Sequence, residues 1–224
     1  LGNHILMMSA TILDIDTFCK SLGIKKDNVD YLSMPSPFPI KNRPVYVHPV
    51  GSMSSKAIDK TLPVMSSAIE EILNAHSKDK GIIHCHSYKV AKFIKNNIKS
   101  KRLIIHNSEN RDEMLQKHMR SKTPTVLLSP SMAEGVDLKG DMSRFQIIAK
   151  IPYPYLGDPL IRKRMNKWPD WYGLETSKKI LQSAGRSVRS ESDTAITYIL
   201  DADWGKFFRR NHRIFPQDFK KCIK

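Results

Sequence analysis

Cysteine is scarce in this sequence, and long apolar runs are absent. The 224 residues include three cysteines, Cys19, Cys85 and Cys222, which lie far apart and never in a CxxC spacing. They therefore predict neither a disulfide framework nor a zinc site, and they are typical of a reducing compartment. No stretch approaches the roughly 20 apolar residues that cross a bilayer, which argues against a membrane-spanning segment and a membrane partner.

Acidic residues are also few. The chain has 37 lysines and arginines against 22 acids, a net charge of +15, and no Asp or Glu occurs between Lys80 and Ser108. Such an excess indicates a polyanionic partner, because basic side chains that neutralise phosphates release counterions. The alternative is that the charge only keeps the protein soluble.

An initiator methionine and a signal peptide are missing as well. The sequence begins Leu1-Gly-Asn-His-Ile5, with neither a basic region nor a small-residue cleavage site. We therefore expect a piece of a longer protein, whose 224 residues fit one large domain or one domain with a small appendage. No nuclear-targeting cluster stands out, which favours a bacterial or phage cytoplasm over a nucleus.

Short apolar runs alternate along the chain with segments of helical period. This order predicts an α/β fold, a mostly parallel sheet with helices on both faces. Strands are expected at Ile5–Ala10, Val45–Val50, Gly81–His86, Arg102–His106, Thr125–Ser129, Phe145–Ile151 and Thr194–Leu200. Helices are expected at Lys56–Ala75, Tyr88–Lys99, Arg111–Arg120, Pro159–Lys167 and Trp171–Arg189. Folds of this kind bind ligands at the carboxyl ends of their strands.

Four prolines lie between Pro35 and Pro44. They exclude a regular helix there and predict an extended connector. It would join the residues that end near Leu32 to the main body of the chain.

Three features admit two explanations each. The helix at Tyr88–Lys99 has a lysine face, which is either solvated or in contact with phosphates. The basic C-terminal tail contains phenylalanines that could stack on bases, although packing of Phe207 onto the sheet by a terminal helix is favoured. His84 and His86 flank Cys85, but alternate strand residues more often fill a core than bind a metal, so no metal site is expected.

The segment Gln182–Arg189 reads Q-S-A-G-R-S-V-R. Inside a helix Gly185 costs about 1 kcal/mol relative to alanine, so its presence indicates close approach by backbone or ligand. Arg186 and Arg189 are three residues apart and share a helix face, and two guanidinium groups suit a transferring phosphoryl group. Gln182, one turn earlier, can donate to the same ligand. The alternative is an ordinary surface helix with arginines.

This segment resembles motif VI of superfamily 2 helicases, Q-x-x-G-R-x-x-R, at every defined position. Three further segments stand in the family's order. Leu6–Leu13, with its S-A-T, resembles motif III, and Gly81–Tyr88 resembles motif IV. Ser129–Asp141, with E-G-V-D-L, resembles motif V of the XPD/DinG branch, as does the later turn Pro152–Pro154. Each motif alone is weak, but four in order across nearly the whole chain are hard to obtain by chance.

The resemblance implies a RecA-like (P-loop NTPase-type) sheet that lacks its own P-loop. Residues 1–32 would be the end of a first motor domain, 33–44 the connector, and 45–224 the second RecA-like domain. In the family, the arginines of motif VI reach across a cleft to ATP held by the first domain.

The nucleotide roles follow position by position. Arg189 is implied as the arginine finger on the γ-phosphate and Arg186 as a second phosphate ligand, with Gln182 and Gly185 beside them. Asp137 resembles the acid that accepts a hydrogen bond from the ribose, although a simple loop cap is the competing explanation. The resemblance also implies roles for two neighbours of Asp137. Gly135 would let the backbone approach the ligand closely, and Glu134 would help to tie this loop to the cleft.

The nucleic-acid roles are also implied by the resemblance. Ser87 and Tyr88 would face single-stranded DNA at the end of a strand, and the hydroxyls of Ser129 and Ser131 would bond to phosphates. Ser9 and Thr11 resemble the motif III residues that couple nucleotide state to the DNA groove, near the junction of the two motor domains.

The Walker A pattern and a D-E-A-H or D-E-A-D sequence are absent. In the family these hold ATP and Mg²⁺ and belong to the N-terminal RecA-like domain, which the resemblance places upstream of Leu1, as it does any iron–sulfur cysteines. We therefore expect an ATP-dependent DNA helicase as the full-length protein, and no ATP hydrolysis by this chain alone.

Two rival functions remain. The first is a non-enzymatic nucleic-acid-binding domain, for which Arg189 and Asp137 need not lie on the same side of the fold. The second is a related superfamily 2 translocase or RNA helicase, because motifs III to VI are shared across the superfamily. Translocation polarity, DNA substrate and pathway are not encoded in these motifs.

Overall fold

The computed structural model describes residues 4–131 and 137–224. Its strands form one six-stranded sheet in the order β1-β6-β5-β2-β4-β3, and every pair of neighbouring strands is parallel. The strands are β1 Val45–Gly51, β2 Gly81–His84, β3 Leu103–Ile105, β4 Val126–Ser129, β5 Phe145–Ile148 and β6 Ile196–Asp201. The predicted parallel α/β fold is therefore confirmed.

Eight α-helices surround this sheet in the described residues. They are α1 Ile15–Leu22, α2 Ile58–Ala75, α3 Tyr88–Asn97, α4 Arg111–Arg120, α5 Pro159–Lys167, α6 Pro169–Ala184, α7 Asp203–Asn211 and α8 Gln217–Cys222. Within these same residues, none of the helices is both long and apolar enough to cross a membrane.

The core lies on both faces of the sheet. On one face, α2 and α3 pack against strand residues that include Ile83 and Ile147. On the other face, α6, α7 and α8 pack against Ile148 and Ile199. Successive strand side chains point to opposite faces, so burial of both faces explains why these strands are almost continuously apolar in sequence.

The C-terminal aromatic residues belong to the second core. Phe207 and Phe215 are buried there, and their rings lie edge to face with centroids 6.2 Å apart. The favoured packing of Phe207 by a terminal helix is confirmed, because α7 carries it onto the sheet.

Two predicted elements are wrong. Ile5–Ala10 is not a strand, and its apolar side chains face solvent, with Leu6 83% exposed. A strand needs a neighbour for its backbone hydrogen bonds, and no described strand pairs with this run. The predicted helix at Trp171–Arg189 begins at Pro169 and ends at Ala184.

The early end of α6 has a local cause. Gly185 caps the helix, and the tight turn that follows is closed by the Arg186 backbone N–H, which donates to the Ser183 carbonyl over 3.3 Å. Beyond this turn, the Ser187 hydroxyl donates to the Ser143 hydroxyl and ties the chain to the residues before β5. Arg186 and Arg189 therefore lie beyond the helix and do not share a helix face.

The N-terminal residues contact the main body. Helix α1, which the sequence did not predict, packs against α6, and the side chain of Asp14 caps it by accepting from the Thr17 N–H over 2.7 Å. The connector contains a single 3₁₀ turn at Ile40–Asn42 that packs against α8. The domain boundaries at residues 32 and 44 stay predictions.

His118 on α4 is a buried neutral histidine. Its Nε2–H donates to the Met142 carbonyl and its Nδ1 accepts from the Thr125 hydroxyl, both over 2.9 Å. Burial lowers the pKa of His118 to about 4, although its bond to Met142 opposes the shift. The folded protein therefore binds fewer protons here than the unfolded chain, whose histidine pKa is about 6.5.

Acidification should therefore destabilise the fold. Between pH 7 and pH 5 the unfolded chain protonates at His118 while the folded chain does not, and this costs about 2 kcal/mol of unfolding free energy. Urea unfolding at the two pH values measures the loss, and His118→Gln should be less stable at pH 7 but lose less on acidification. An equal loss in both proteins would contradict this account.

Candidate nucleotide and nucleic-acid sites

The arginine segment, defined as Gln182–Arg189, lies at the amino ends of β5 and β6. The Ser187 hydroxyl donates over 2.7 Å to Ser143, two residues before β5. The backbone N–H of Arg189 donates over 2.9 Å to the carboxylate of Asp193, three residues before β6. Ligand-binding residues were expected at the carboxyl ends of the strands. That expectation is wrong for Arg186 and Arg189, because α6 returns the chain from the carboxyl ends to the amino ends of the strands before these arginines are reached.

A buried glutamine on β5 holds this segment in place. Gln146 is 1% exposed, and its Nε2 donates to the Ala184 carbonyl over 2.5 Å and to the Thr197 hydroxyl over 2.9 Å. Its Oε1 accepts from Ser187 over 3.3 Å. A polar residue in an otherwise apolar buried strand must find hydrogen-bond partners, and that was the signal in the sequence that could have identified it.

Arg189 and Asp137 are brought together from positions far apart in sequence. The Arg189 Nε donates to Asp137 Oδ1 over 3.0 Å, and the two side chains are 37% and 65% exposed. The Leu138 N–H donates to the Arg186 carbonyl over 3.3 Å, which ties the motif V loop to the arginine segment. Arg189 and Asp137 thus lie on the same side of the fold. The helicase interpretation requires this arrangement, whereas a non-enzymatic nucleic-acid-binding domain does not. Glu134 and Gly135 lie outside the described residues.

A cleft of about 960 Å³ opens beside the arginine segment. Gln182, Gly185, Arg186 and Arg189 line one side of it. Residues 9–13, 31–38 and 213–220 contribute the remaining walls, so the connector and the N-terminal segment lie around it.

The N-terminal segment reaches the arginine segment directly. Gln182 Nε2 donates to the Thr11 hydroxyl over 3.4 Å, and Thr11 in turn lies 3.5 Å from the Ser9 hydroxyl. Gln182 Oε1 is buried and accepts no hydrogen bond from the part of the chain that is described. The structure therefore places Ser9, Thr11 and Gln182 at one cleft.

The charge of the cleft suits an anion. Arg43, Arg186, Arg189 and Arg213 all line it, whereas the acidic lining among the described residues is Asp218, which is paired with Arg43 over 2.8 Å. An arginine-rich cleft with a vacant buried amide oxygen fits the phosphates and hydroxyls of a nucleotide.

The predicted nucleic-acid residues lie at the opposite edge of the sheet, where β2 and β4 end. Ser87 caps α3, accepting from the Val90 N–H over 3.5 Å, and Tyr88 is 41% exposed. Ser131 is exposed beyond β4. Ser129 differs from them because it is the last residue of β4 and only 1% exposed, so its hydroxyl is not presented to a phosphate.

Two neutral histidines precede Ser87. His84 is fully buried, and neither of its ring nitrogens has a hydrogen-bond partner in residues 4–131 and 137–224. Burial lowers the pKa of both rings, that of His86 to about 3. His86 also has a positive φ of 48°, in the left-handed region that residues other than glycine adopt infrequently. In the same described residues, no three His, Cys, Asp or Glu side chains are grouped as metal ligands would be.

The all-parallel six-stranded sheet with helices on both faces defines the class of the protein, a RecA-like domain. The helicase C-terminal domain family matches residues 69–222, and the chain belongs to this family. It is a DinG/XPD-like domain of superfamily 2.

Curated relatives support the branch. The chain is 29% identical over 218 residues to the ATP-dependent DNA helicase DinG of Photobacterium profundum, an alignment that covers 88% of this chain and 31% of that protein. It is 22% identical over 198 residues to the ATP-dependent DNA helicase YoaA of Haemophilus influenzae, covering 82% and 30%. The chain thus spans about a third of the length of these relatives.

Solved structures share the fold. A structure described as XPD_APO superposes with a TM-score of 0.75 and 17% identity, covering 92% of this chain and 46% of that one. One described as XPD_Helicase gives a TM-score of 0.72, again with 17% identity, over 92% and 40%. At this identity the likeness shows the fold alone.

Removal of the Gln146 amide should loosen the arginine segment. In Gln146→Leu, the Ala184 carbonyl and the Ser187 hydroxyl lose a buried partner, which should lower the unfolding free energy by about 1–3 kcal/mol. Urea unfolding measures this. The matched control is Gln217→Leu on α8, an exposed glutamine, which should leave stability unchanged. Equal stability of the two variants would remove Gln146 from this role.

Proposed function

We propose that this chain is the second motor domain of an ATP-dependent DNA helicase that moves along single-stranded DNA and unwinds duplexes. The observation that carries the proposal is that Thr11, Gln182, Arg186 and Arg189 line one cleft, with Asp137 paired to Arg189. The names of the curated relatives, both ATP-dependent DNA helicases, support the same activity. The proposed partners are single-stranded DNA and an N-terminal RecA-like domain of the same protein.

Arg189 acts in this proposal as the arginine finger. ATP is the substrate, held with Mg²⁺ mainly by the other motor domain, and its γ-phosphoryl group gathers negative charge as it is transferred. When the domains close, Arg189 turns from Asp137 to that charge. Arg186, at the same cleft, provides the second phosphate contact.

The pair between Arg189 and Asp137 suits such an exchange. Both side chains are partly exposed, and an exposed ion pair contributes only about 0–1 kcal/mol, so a phosphate competes easily for the guanidinium. Release of Arg189 also frees the Asp137 carboxylate to accept a hydrogen bond from the ribose. Before the two motor domains close, the ion pair therefore keeps both side chains close together without holding either of them strongly.

Movement on DNA follows from repeated closure. Closure brings the arginine segment onto the phosphates and hydrolysis releases it, so the spacing between the two motor domains alternates. Thr11 contacts Gln182 and Ser9 contacts Thr11, so these two residues are placed to respond to the change in domain spacing. Ser87, Tyr88 and Ser131 hold the strand, and Ser129 is left out because it is buried. For the XPD/DinG branch we expect 5′-to-3′ movement.

The arginine finger is tested in the full-length protein. Arg189→Ala should reduce DNA-stimulated ATP turnover by about 10³–10⁵-fold while leaving DNA affinity largely unchanged. Phosphate release and fluorescence anisotropy measure the two effects. Arg120→Ala, which removes an exposed arginine at the end of α4, is the matched control. Near wild-type turnover by Arg189→Ala would exclude the role, and stimulation by DNA rather than RNA separates a DNA helicase from an RNA helicase.

The division of the site between two domains has its own test. The isolated 224-residue chain should bind nucleotide weakly and release no phosphate above background, since it has no Walker A loop. Addition of single-stranded DNA should not change that result. Steady turnover that follows the concentration of the purified chain would overturn the proposed division.

A further inference from the structure

The loop after β5 and the helix that follows it form an exposed aromatic and basic surface, which we call the α5 surface: residues 153–157 with α5. We propose that the α5 surface is a second contact for single-stranded nucleic acid, in which Tyr155 stacks on a base and the α5 cations bind the adjacent phosphates. The proposal rests on the proposed function and adds a site to it.

The α5 surface lies at the same sheet edge as Ser87 and Tyr88. Strand β5 is the direct neighbour of β2, and beyond their ends the Ala149 N–H donates to the His84 carbonyl over 3.1 Å. The loop therefore leaves the sheet beside the residues that are proposed to hold the strand. A nucleic acid bound at the end of β2 passes close to it.

The base of the loop is held firmly. The buried carboxylate of Asp201 accepts from the Ile151 N–H over 2.9 Å and also from the N–H groups of Met53 and Asp203. The Tyr172 hydroxyl donates to the Pro154 carbonyl over 2.9 Å. A site held in this way loses little conformational entropy when it binds a ligand.

Beyond this firm base, apolar side chains face solvent. Tyr155 is 79% exposed, and Leu156 and Leu160 are 43% and 54% exposed. The Tyr155 ring lies over the Cα of Gly157, where any side chain would collide with it. The ring itself stays largely exposed, so most of it is available for stacking on a base.

Cations follow these apolar groups in sequence. Helix α5 carries Arg162, Lys163, Arg164 and Lys167, and its N-cap is the exposed Asp158. Arg164 and Lys167 lie over the rings of Trp171 and Trp168, which leaves Arg162 and Lys163 as the two cations of α5 without a described cation–π contact. In the part of the chain that the structure describes, none of the four has a carboxylate within ion-pair distance. Lys163 is exposed and three residues from Leu160, so the two share a face of the helix.

Charge complementarity selects the occupant. A surface with four cations against the one carboxylate of Asp158 favours a polyanion over an apolar protein segment, and an exposed tyrosine ring stacks on any base without sequence preference. Single-stranded nucleic acid offers both groups at once. Duplex DNA offers phosphates but keeps its bases stacked within the helix, so Tyr155 is left without a partner.

The test compares variants of the full-length protein on fluorescently labelled oligothymidine. Tyr155→Ala should weaken binding by about ten-fold, the effect of losing one stacked base, and Tyr155→Phe should restore wild-type affinity because it keeps the ring. Tyr46→Ala, at an exposed tyrosine on β1, is the matched control and should bind like the wild type. The exposure of Tyr155 predicts an unchanged Tm for its variants.

The salt dependence separates charge from stacking. Lys163→Ala should lower the slope of log K against log salt by about 0.7, the value for one phosphate contact on a single strand, whereas Tyr155→Ala should leave the slope unchanged. Lys122→Ala, at an exposed lysine far from α5 in sequence, is the control for loss of one positive charge. A slope that changes equally in both lysine variants would overturn the assignment of α5.

The outcomes distinguish this proposal from the one on which it rests. If the wild type binds oligothymidine and hydrolyses ATP, but Tyr155→Ala and Lys163→Ala bind as tightly as their controls, the α5 surface is not a nucleic-acid contact and the helicase function stands. If the wild type binds no single-stranded nucleic acid, both proposals fail.

Discussion

The parallel direction of all six strands is the constraint on which the rest of this structure depends. Each connection between parallel strands must cross from the carboxyl edge of the sheet to the amino edge, so residues close in sequence reach opposite edges. Helix α6 makes one such crossing. It begins near the carboxyl edge, where the Tyr172 hydroxyl donates to the Pro154 carbonyl. It ends at the arginine segment, where the Gln146 side chain donates to the Ala184 carbonyl. The proposed nucleic-acid and nucleotide sites are therefore separated by the length of a single helix.

The polar groups around the arginine segment are of two kinds, a buried hydrogen-bond network and a partly exposed ion pair. Gln146, Ser143 and Ser187 form a buried network whose bonds fix backbone position, and loss of any partner leaves an unsatisfied group. Arg189 and Asp137, by contrast, pair at the surface and separate at little cost. A rigid polar base beneath a readily broken pair is an arrangement suited to a residue that must change partners in every catalytic cycle.

Much of the fold was predictable from the sequence, because strands buried on both faces are continuously apolar. The bounds of α4 and α5 agree with the prediction, and β2, β3, β4 and β5 fall within their predicted ranges. The end of α6 was not predictable from periodicity, since it depends on bonds from Ser187 to Ser143 and on the conformation of Gly185. The run Ile5–Ala10 has a strand-like composition but pairs with none of the strands that the structure describes. The candidate nucleotide residues were predicted from motif order, whereas the place of Arg186 and Arg189 at the amino edge and the support from Gln146 depend on long-range contacts that no local pattern records.

The length of α6 has a mechanical consequence. Its 16 residues form a rod of about 24 Å, at a rise of about 1.5 Å per residue. A tilt of about 5° pivoting at the arginine segment moves its far end by about 2 Å, a displacement comparable to the helix shifts that accompany known switching transitions. The far end holds the hydroxyl of Tyr172 against the backbone of Pro154. A small rotation of α6 at the arginine segment would therefore displace the backbone next to Tyr155, because the helix acts as a lever arm.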